Sequence, residues 1–429
     1  MTYQQRIRTR RQADVIVIGS GSAGATAAIT AARCGRRVIL VERYGFMGGT
    51  STQVLDTFYG FYTPGATPHK VVGGIPDHIV AALFAKGRAI LRPNSYGAGQ
   101  GITYDPQTLK IVWEQLAIAA GVEVLYHTFV LDALTDAERV VGVIAANKGG
   151  LWELRAPVCI DASGDADVVS AAGGGYHGGD DGTALQSLTT TFHMYNVDTA
   201  QAKAVSTAHL HTLMATAIAA GYDLPRREGS VHITPFPGVM VTNMTRVTGI
   251  NPLDIDALTG AEIAGRQQAE HYARFLVDYV PGYAQAFMGQ LSHQIGIRES
   301  RRIDGVYQLR RHDVLAAADF ADTIARCGAP IEDHHAGADT RWHYLPEGRT
   351  YGIPWRSLLP RTRDGIIVAG RCLAADHDAH ASVRSMGQCM AMGQAAGLAA
   401  HLCVRDGVSP HALNVPLLQR EIQAHGGII

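Results

Sequence analysis

Residues Val15 to Gly24 read VIVIGSGSAG. Four consecutive aliphatic residues have the character of a strand buried on both faces. The loop after them is built only of glycine, serine and alanine, so a large, flat or anionic group must approach its backbone. Downstream, Ser22 to Cys34 predicts a small-residue helix and Arg37 to Val41 a second strand ending at Glu42. Together they make one βαβ unit.

In this unit Gly19 permits the tight turn out of the strand, Gly21 lets the backbone reach a pyrophosphate, and Gly24 lets the helix pack on the sheet. Ser22 and Ala23 open the helix, whose free N–H groups and positive dipole end favour an anion. Glu42, with Arg43 beside it, follows about twenty residues on, where a carboxylate accepts hydrogen bonds from a ribose diol. The alternative is a glycine turn that binds nothing. The acid at the strand end argues for a dinucleotide instead.

The rest of the 429-residue chain narrows the class. Lys and Arg number 37 against 38 Asp and Glu, which leaves no excess positive charge for a nucleic-acid partner. Six cysteines, at 34, 159, 327, 372, 389 and 403, show no CxxC spacing. They are expected to be reduced thiols in a cytoplasmic protein, and they exclude a disulfide-type flavin reductase. The basic start RIRTRRQ before an apolar run mimics an export signal, but Asp14 interrupts it. SMGQCMAMGQAAGLAAHL, Ser385 to Leu402, is read as a helix buried against a ligand rather than a membrane span, because glutamines and glycines interrupt it.

Further elements follow from local signals. Irregular sequence through LRPNSYGAGQGITY suits loops and short elements around a site. Asp105 and Pro106 open a helix. Short strands VEVLY, TFVLDAL, RVVGVIAAN and LWELRA come next, the last two joined as a hairpin at Asn147 to Gly150, then the buried strand VCIDA. From Gly173 to about Glu347 the composition changes, and GIIVAG at Gly365 to Gly370 returns to the earlier style. We therefore expect an α/β fold: a Rossmann-like, discontinuous cofactor domain from 1–172 and 348–429, with an α+β substrate domain at 173–347. No internal repeat is visible.

Four stretches carry a family resemblance: VIVIGSGSAGATAAITAARCGRRVILVER with FMGGTST, CIDASGDADVV, IGIRESRRIDG, and IPWRSLLPRTRDGIIVAGRCLAADHDAHASVRSMGQCMAMGQAAGLAA. The chain resembles the FAD-dependent oxidoreductases, related in plan to fumarate reductase and glutathione reductase flavoproteins. That likeness implies FAD. Gly48, Gly49, Thr50, Ser51 and Thr52 would reach the pyrophosphate and flavin edge, and Ala162 and Gly164 would let the adenosine part pass. Gly370 and Arg371 would lie beside the phosphate and ribitol portion. Gly387 and Gln388 would aim helix N–H groups at the flavin C2 carbonyl, and Val130 offers a backbone contact to adenine. No histidine occupies FMGGTST, so noncovalent FAD is expected.

For proton transfer the leading bases are His377 and His380, in the loop between the flavin-linked strand and helix. HDAH also suggests a metal site, but flavin chemistry needs none, and no metal is expected. RESRR reads either as a solvated face or, by the resemblance, as a cleft segment whose Arg298 and Arg301 hold a carboxylate or polarise a carbonyl. Arg384 is expected near the flavin, and His334 and His335 on the surface. No second strand-linked GxGxxG is present, and GGGYHGG lacks the helix a phosphate site needs. The electron acceptor thus stays open between dioxygen, a quinone and a carrier protein.

The leading function is an FAD-dependent dehydrogenase or oxidase taking a hydride from a small hydroxylated or sugar-like substrate. The alternative is a fumarate-reductase-like C=C reductase or desaturase of a carboxylate. An RNA-modifying flavoprotein and a noncatalytic flavin subunit are weaker readings. No membrane span is expected, and a homo-oligomer stays open.

Overall fold

Val15–Ile18 occupies the middle of a five-stranded parallel sheet with the order Ile366–Val368, Val158–Asp161, Val15–Ile18, Val38–Val41, Glu123–Leu125. Four of these strands are buried along their whole length, as continuous Val/Ile/Leu runs require when helices or a second sheet cover both faces. The edge partner Ile366–Val368 comes from the far end of the chain, so the α/β fold is discontinuous, as the sequence implied. This computed structural model describes residues 7–93, 100–178 and 184–429. Residues 94–99 of the irregular stretch, and Gly179 at the end of GGGYHGG, lie outside the described residues.

The helix Ser22–Arg33 leaves the first strand through Gly19, whose φ of 85° is in the left-handed region. A Cβ at Gly24 would fall 1.8 Å from the Gly19 carbonyl oxygen, so only glycine lets the helix begin this close to the turn. Across it lies Met386–Asp406. Cβ atoms at Gly393 and Gly397 would sit 2.1 and 2.5 Å from the Ala23 and Ala27 carbonyls, which fixes two small-residue helices backbone to backbone. This helix meets the cleft only at its start. Its apolar length packs on the first helix, and among its residues only Met386 and Cys389, with Ser385 just before it, reach the cleft.

Among the described residues, three further sheets of three or four strands, and three two-stranded ones, surround this core. Ile7–Gln12, Gly150–Arg155, Arg139–Asn147 and Phe129–Asp136 form one, in which the expected hairpin pairs Asn147 with Gly150. Thr57–Phe58, Gln100–Tyr104 and Ala89–Pro93 form a small second one. The third, Ser230–Ile233, Met240–Asn243, Phe192–Tyr195 and Phe287–Leu291, is antiparallel and shares a separate hydrophobic core with the 25-residue helix Ile255–Tyr279. Among the described residues no helix is long and apolar enough to cross a membrane.

Candidate active site

One long cleft runs from the glycine loop to the face of the antiparallel sheet. Its first part is lined by Gly19, Gly21, Ser22, Ala23, Glu42, Arg43, Gly49, Thr50, Val130, Ala162, Gly164, Gly370 and Arg371, all expected from the sequence. A Cβ at Gly19 would lie 2.5 Å from the Ala162 oxygen and one at Gly49 2.8 Å from the Gly21 Cα, so these loops meet as bare backbone. The helix N-terminus at Gly21 carries no side-chain cap, which leaves its first N–H groups available to a ligand. Glu42 is buried, its carboxylate held by Ser20 N at 2.8 Å, Ser20 Oγ at 2.6 Å and Tyr44 N at 2.9 Å.

Five expected cofactor residues lie outside the cleft lining, while Gly24 packs helix on turn, the role expected of it. Gly48 donates its N–H to the Ser20 carbonyl, while the Ser51 and Thr52 hydroxyls bond the Gly48 and Met47 carbonyls at 2.6 and 2.7 Å. These three brace the loop, and Gly49 and Thr50 alone from that group line the cleft. The Gly387 N–H is consumed by the Tyr59 carbonyl, and the Gln388 amide donates to the Gly60 and Arg326 carbonyls. Both tie the helix start to neighbouring loops instead of facing the cleft.

Neither expected base lines the cleft. His380 is fully buried, with Nε2 2.8 Å from the Arg371 carbonyl, and burial holds its pKa down at about 3. His377 sits between Asp333, 3.2 Å from Nε2, and Glu299, 2.9 Å from Nδ1; those two contacts push its pKa up to about 10. A neutral ring without access and a cation locked between two carboxylates are poor bases at neutral pH. Arg301 also points away, donating to the Asp165 carbonyl and Asp167. RESRR is no solvated face, since Glu299, Ser300 and Arg302 are all buried and Arg302 pairs with Glu299 at 3.0 Å.

The far end of the cleft is polar, and the sequence reading saw little of it. Arg298 and Arg384 line it as expected, joined by Arg226, Glu228, Asn243, Glu332, His334, Thr340 and Trp342. His334 is 3% exposed, which corrects its surface assignment. Its Nδ1 lies 3.3 Å from an Arg246 N–H donor and its Nε2 3.0 Å from Glu332 Oε1. Because guanidinium only donates, Nδ1 accepts and the ring is the Nε2–H tautomer, donating to Glu332. Burial, followed by Arg298, Arg226, Arg384 and Arg246, holds this imidazole well below its usual pKa. A signal existed: in the strand Ile331–Asp333 and the residue after it, Glu332 and His334 alternate onto the cleft face while Asp333 turns toward His377.

Comparisons with known proteins agree with this architecture. The FAD dependent oxidoreductase family model matches residues 14–422, and the chain belongs to that family. A thiamine thiazole synthase of Aeropyrum pernix is 28% identical over 39% of this chain and 60% of its own length. A digeranylgeranylglycerophospholipid reductase of Methanopyrus kandleri is 30% identical over 35% of this chain and 37% of its own. This chain thus covers less than two thirds of either relative. Among solved structures, a geranylgeranyl bacteriochlorophyll reductase-like protein of Thermoplasma acidophilum superposes with a TM-score of 0.51 at 13% identity, covering 97% of this chain and 85% of that one. A flavin-dependent brominase gives 0.52 at 16%, covering 96% and 84%. These two show the fold.

Membership in this family implies FAD as the cofactor. The residues present fit that cofactor: a bare-backbone cradle that any Cβ at Gly19 or Gly49 would invade, an uncapped helix N-terminus, and a buried acid at the second strand end.

Proposed function

We propose that the enzyme oxidises a CH–OH group of a small hydroxylated organic molecule, with Glu332 as the proton acceptor. The observation that carries this reading is the Glu332–His334 pair at the polar end of the cleft. When bound, FAD supplies a two-electron acceptor for hydride. Glu332 takes the hydroxyl proton as C=O forms, and the Nε2–H of His334 orients the carboxylate, much as a triad acid orients its histidine. His334 itself stays neutral, its second nitrogen occupied by Arg246. In this reading 1–172 and 348–429 hold FAD without a covalent bond, and 173–347 supplies the substrate wall. The acceptor that reoxidises the flavin belongs to a second half-reaction.

The test is anaerobic. Purified, FAD-loaded protein is mixed with a panel of polyols, sugars and hydroxy acids, and the oxidised flavin band is followed. Bleaching by at least one hydroxylated compound, with the carbonyl product recovered, is expected. Reoxidation of the dye-reduced flavin by unsaturated acids, with no bleaching by any alcohol, would instead establish the C=C reductase.

A further inference from the structure

Arginines crowded together out of bulk water normally come with carboxylates, because a guanidinium loses hydration there; at this end of the cleft Arg226 and Arg246 are buried and Arg298 and Arg384 half-buried. The polar end of this cleft breaks that rule. Arg298 donates to the Ser187 carbonyl and the Thr189 hydroxyl, both at 2.6 Å. Arg384 donates to Gln186 Oε1 at 2.9 Å and the Glu332 carbonyl at 3.4 Å, while its Nε is buried without a partner. Arg246, directly behind, donates to the carbonyls of Gly337 and Asp339 and to Thr340. Among the described residues, none of these three has a carboxylate ion-pair partner. Arg226, buried on the adjoining wall, donates to the carbonyl and side-chain oxygens of Asn243.

We infer that this cup is the seat of a substrate carboxylate, held between Arg298 and Arg384, so that the substrate is a small hydroxy acid. The inference rests on the proposed oxidation and names its substrate class. Neutral acceptors take most of the hydrogen bonds of these guanidiniums, the Arg384 Nε has none, and the carboxylate of Glu332 offsets their charge without pairing with any of them, which leaves room for a counterion that arrives with the ligand. Consistent with this, burial and then the neighbouring arginines push Arg298 well below the usual guanidinium range. A neutral sugar would leave these arginines without an ion-pair partner. A carboxylate there also brings the remainder of the molecule beside Glu332, the proton acceptor, and Trp342, whose indole forms an apolar wall.

The test uses FAD-loaded protein and simple probes: acetate, succinate, lactate and benzoate, with glycerol and glucose as neutral controls. Binding is read from Trp342 fluorescence, with Trp342→Phe identifying that signal, and from perturbation of the flavin spectrum, neither of which requires turnover. We expect at least one carboxylate to bind saturably, with affinity reduced about tenfold or more in Arg298→Gln and Arg384→Gln and by less in Arg298→Lys. FAD content and circular dichroism verify that each variant is folded. If no carboxylate binds, or the variants bind it as wild type does, the inference is overturned. Bleaching by a neutral alcohol without carboxylate binding sinks this inference and spares the oxidation; carboxylate binding without bleaching by any hydroxy acid does the reverse.

Discussion

Arginines at the two ends of the cleft live in opposite surroundings. Near the cofactor cradle, Arg371 meets Asp165 at 2.7 Å and Ser300 at 2.9 Å, Arg301 meets Asp167 at 3.1 Å, and Arg302 meets Glu299 at 3.0 Å. At the far end Arg298, Arg384 and Arg246 rest on carbonyls and hydroxyls. The paired set is architecture, because each charge already has its counterion and removing one strands the other. The unpaired set carries charge to spare, which is what recognition of an anion needs. The same side chain, sometimes three residues apart in RESRR, thus serves fold or ligand according to what lies within ion-pair distance.

Four measurements break or sharpen that contrast. The largest effect is expected from Glu332→Gln, which should slow flavin bleaching at saturating substrate by about 10²–10⁴-fold while FAD content stays normal. Bleaching at the wild-type rate in rapid mixing would place the proton acceptor elsewhere. Next, Arg371→Gln strands Asp165, half-buried with it, and should lower unfolding stability by about 2–3 kcal/mol in urea titrations, below the range of a fully buried pair, and loosen FAD. Arg298→Gln, by contrast, abandons no carboxylate but leaves the Ser187 carbonyl and the Thr189 hydroxyl without their donor, so the same titration should give a smaller loss, about 1–2 kcal/mol. An equal loss in both variants would erase the distinction between the two ends.

The smallest effect concerns pH. His377 has a folded pKa of about 10, raised by Asp333 and Glu299, against about 6.5 when unfolded. Its contribution is therefore complete below pH 6.5 and fades as pH rises toward 10. Glu299, held at about 2 mainly by its contacts with His377 and His380 against the opposing effect of burial, contributes above the unfolded carboxylate value near 4.5 and loses that as pH falls toward 2. Thermal midpoints should thus decline between pH 6.5 and 10 in the wild type, and more weakly in His377→Gln. Parallel curves would show that the bridge contributes nothing.

Much of the cofactor end was legible because its signals are local. The run VIVI, the glycines at 19, 21 and 24, and Glu42 belong to one strand–turn–helix–strand unit, and each has its expected place in the structure. Legibility failed where identical signals serve different ends. Hydroxyls at Ser51 and Thr52 look like ligand donors, yet they bond their own loop's carbonyls. His377 and His380 look like bases, yet one is a bridging cation and the other a buried neutral ring. EDHHAG looks like a polar surface loop, but Glu332 and His334 alternate onto the cleft.

By itself the sequence determined the parallel-sheet core, the dinucleotide turn and the discontinuous return of the chain at GIIVAG, because burial periodicity and glycine geometry act over a few residues. Only the tertiary structure decided which charges are spent on one another. Glu299, Asp333 and His377, or Arg298, Glu332 and Arg384, come from segments far apart in the chain. A charge's role depends on partners within a few ångströms and on exclusion of water, and neither is written in its neighbours along the chain.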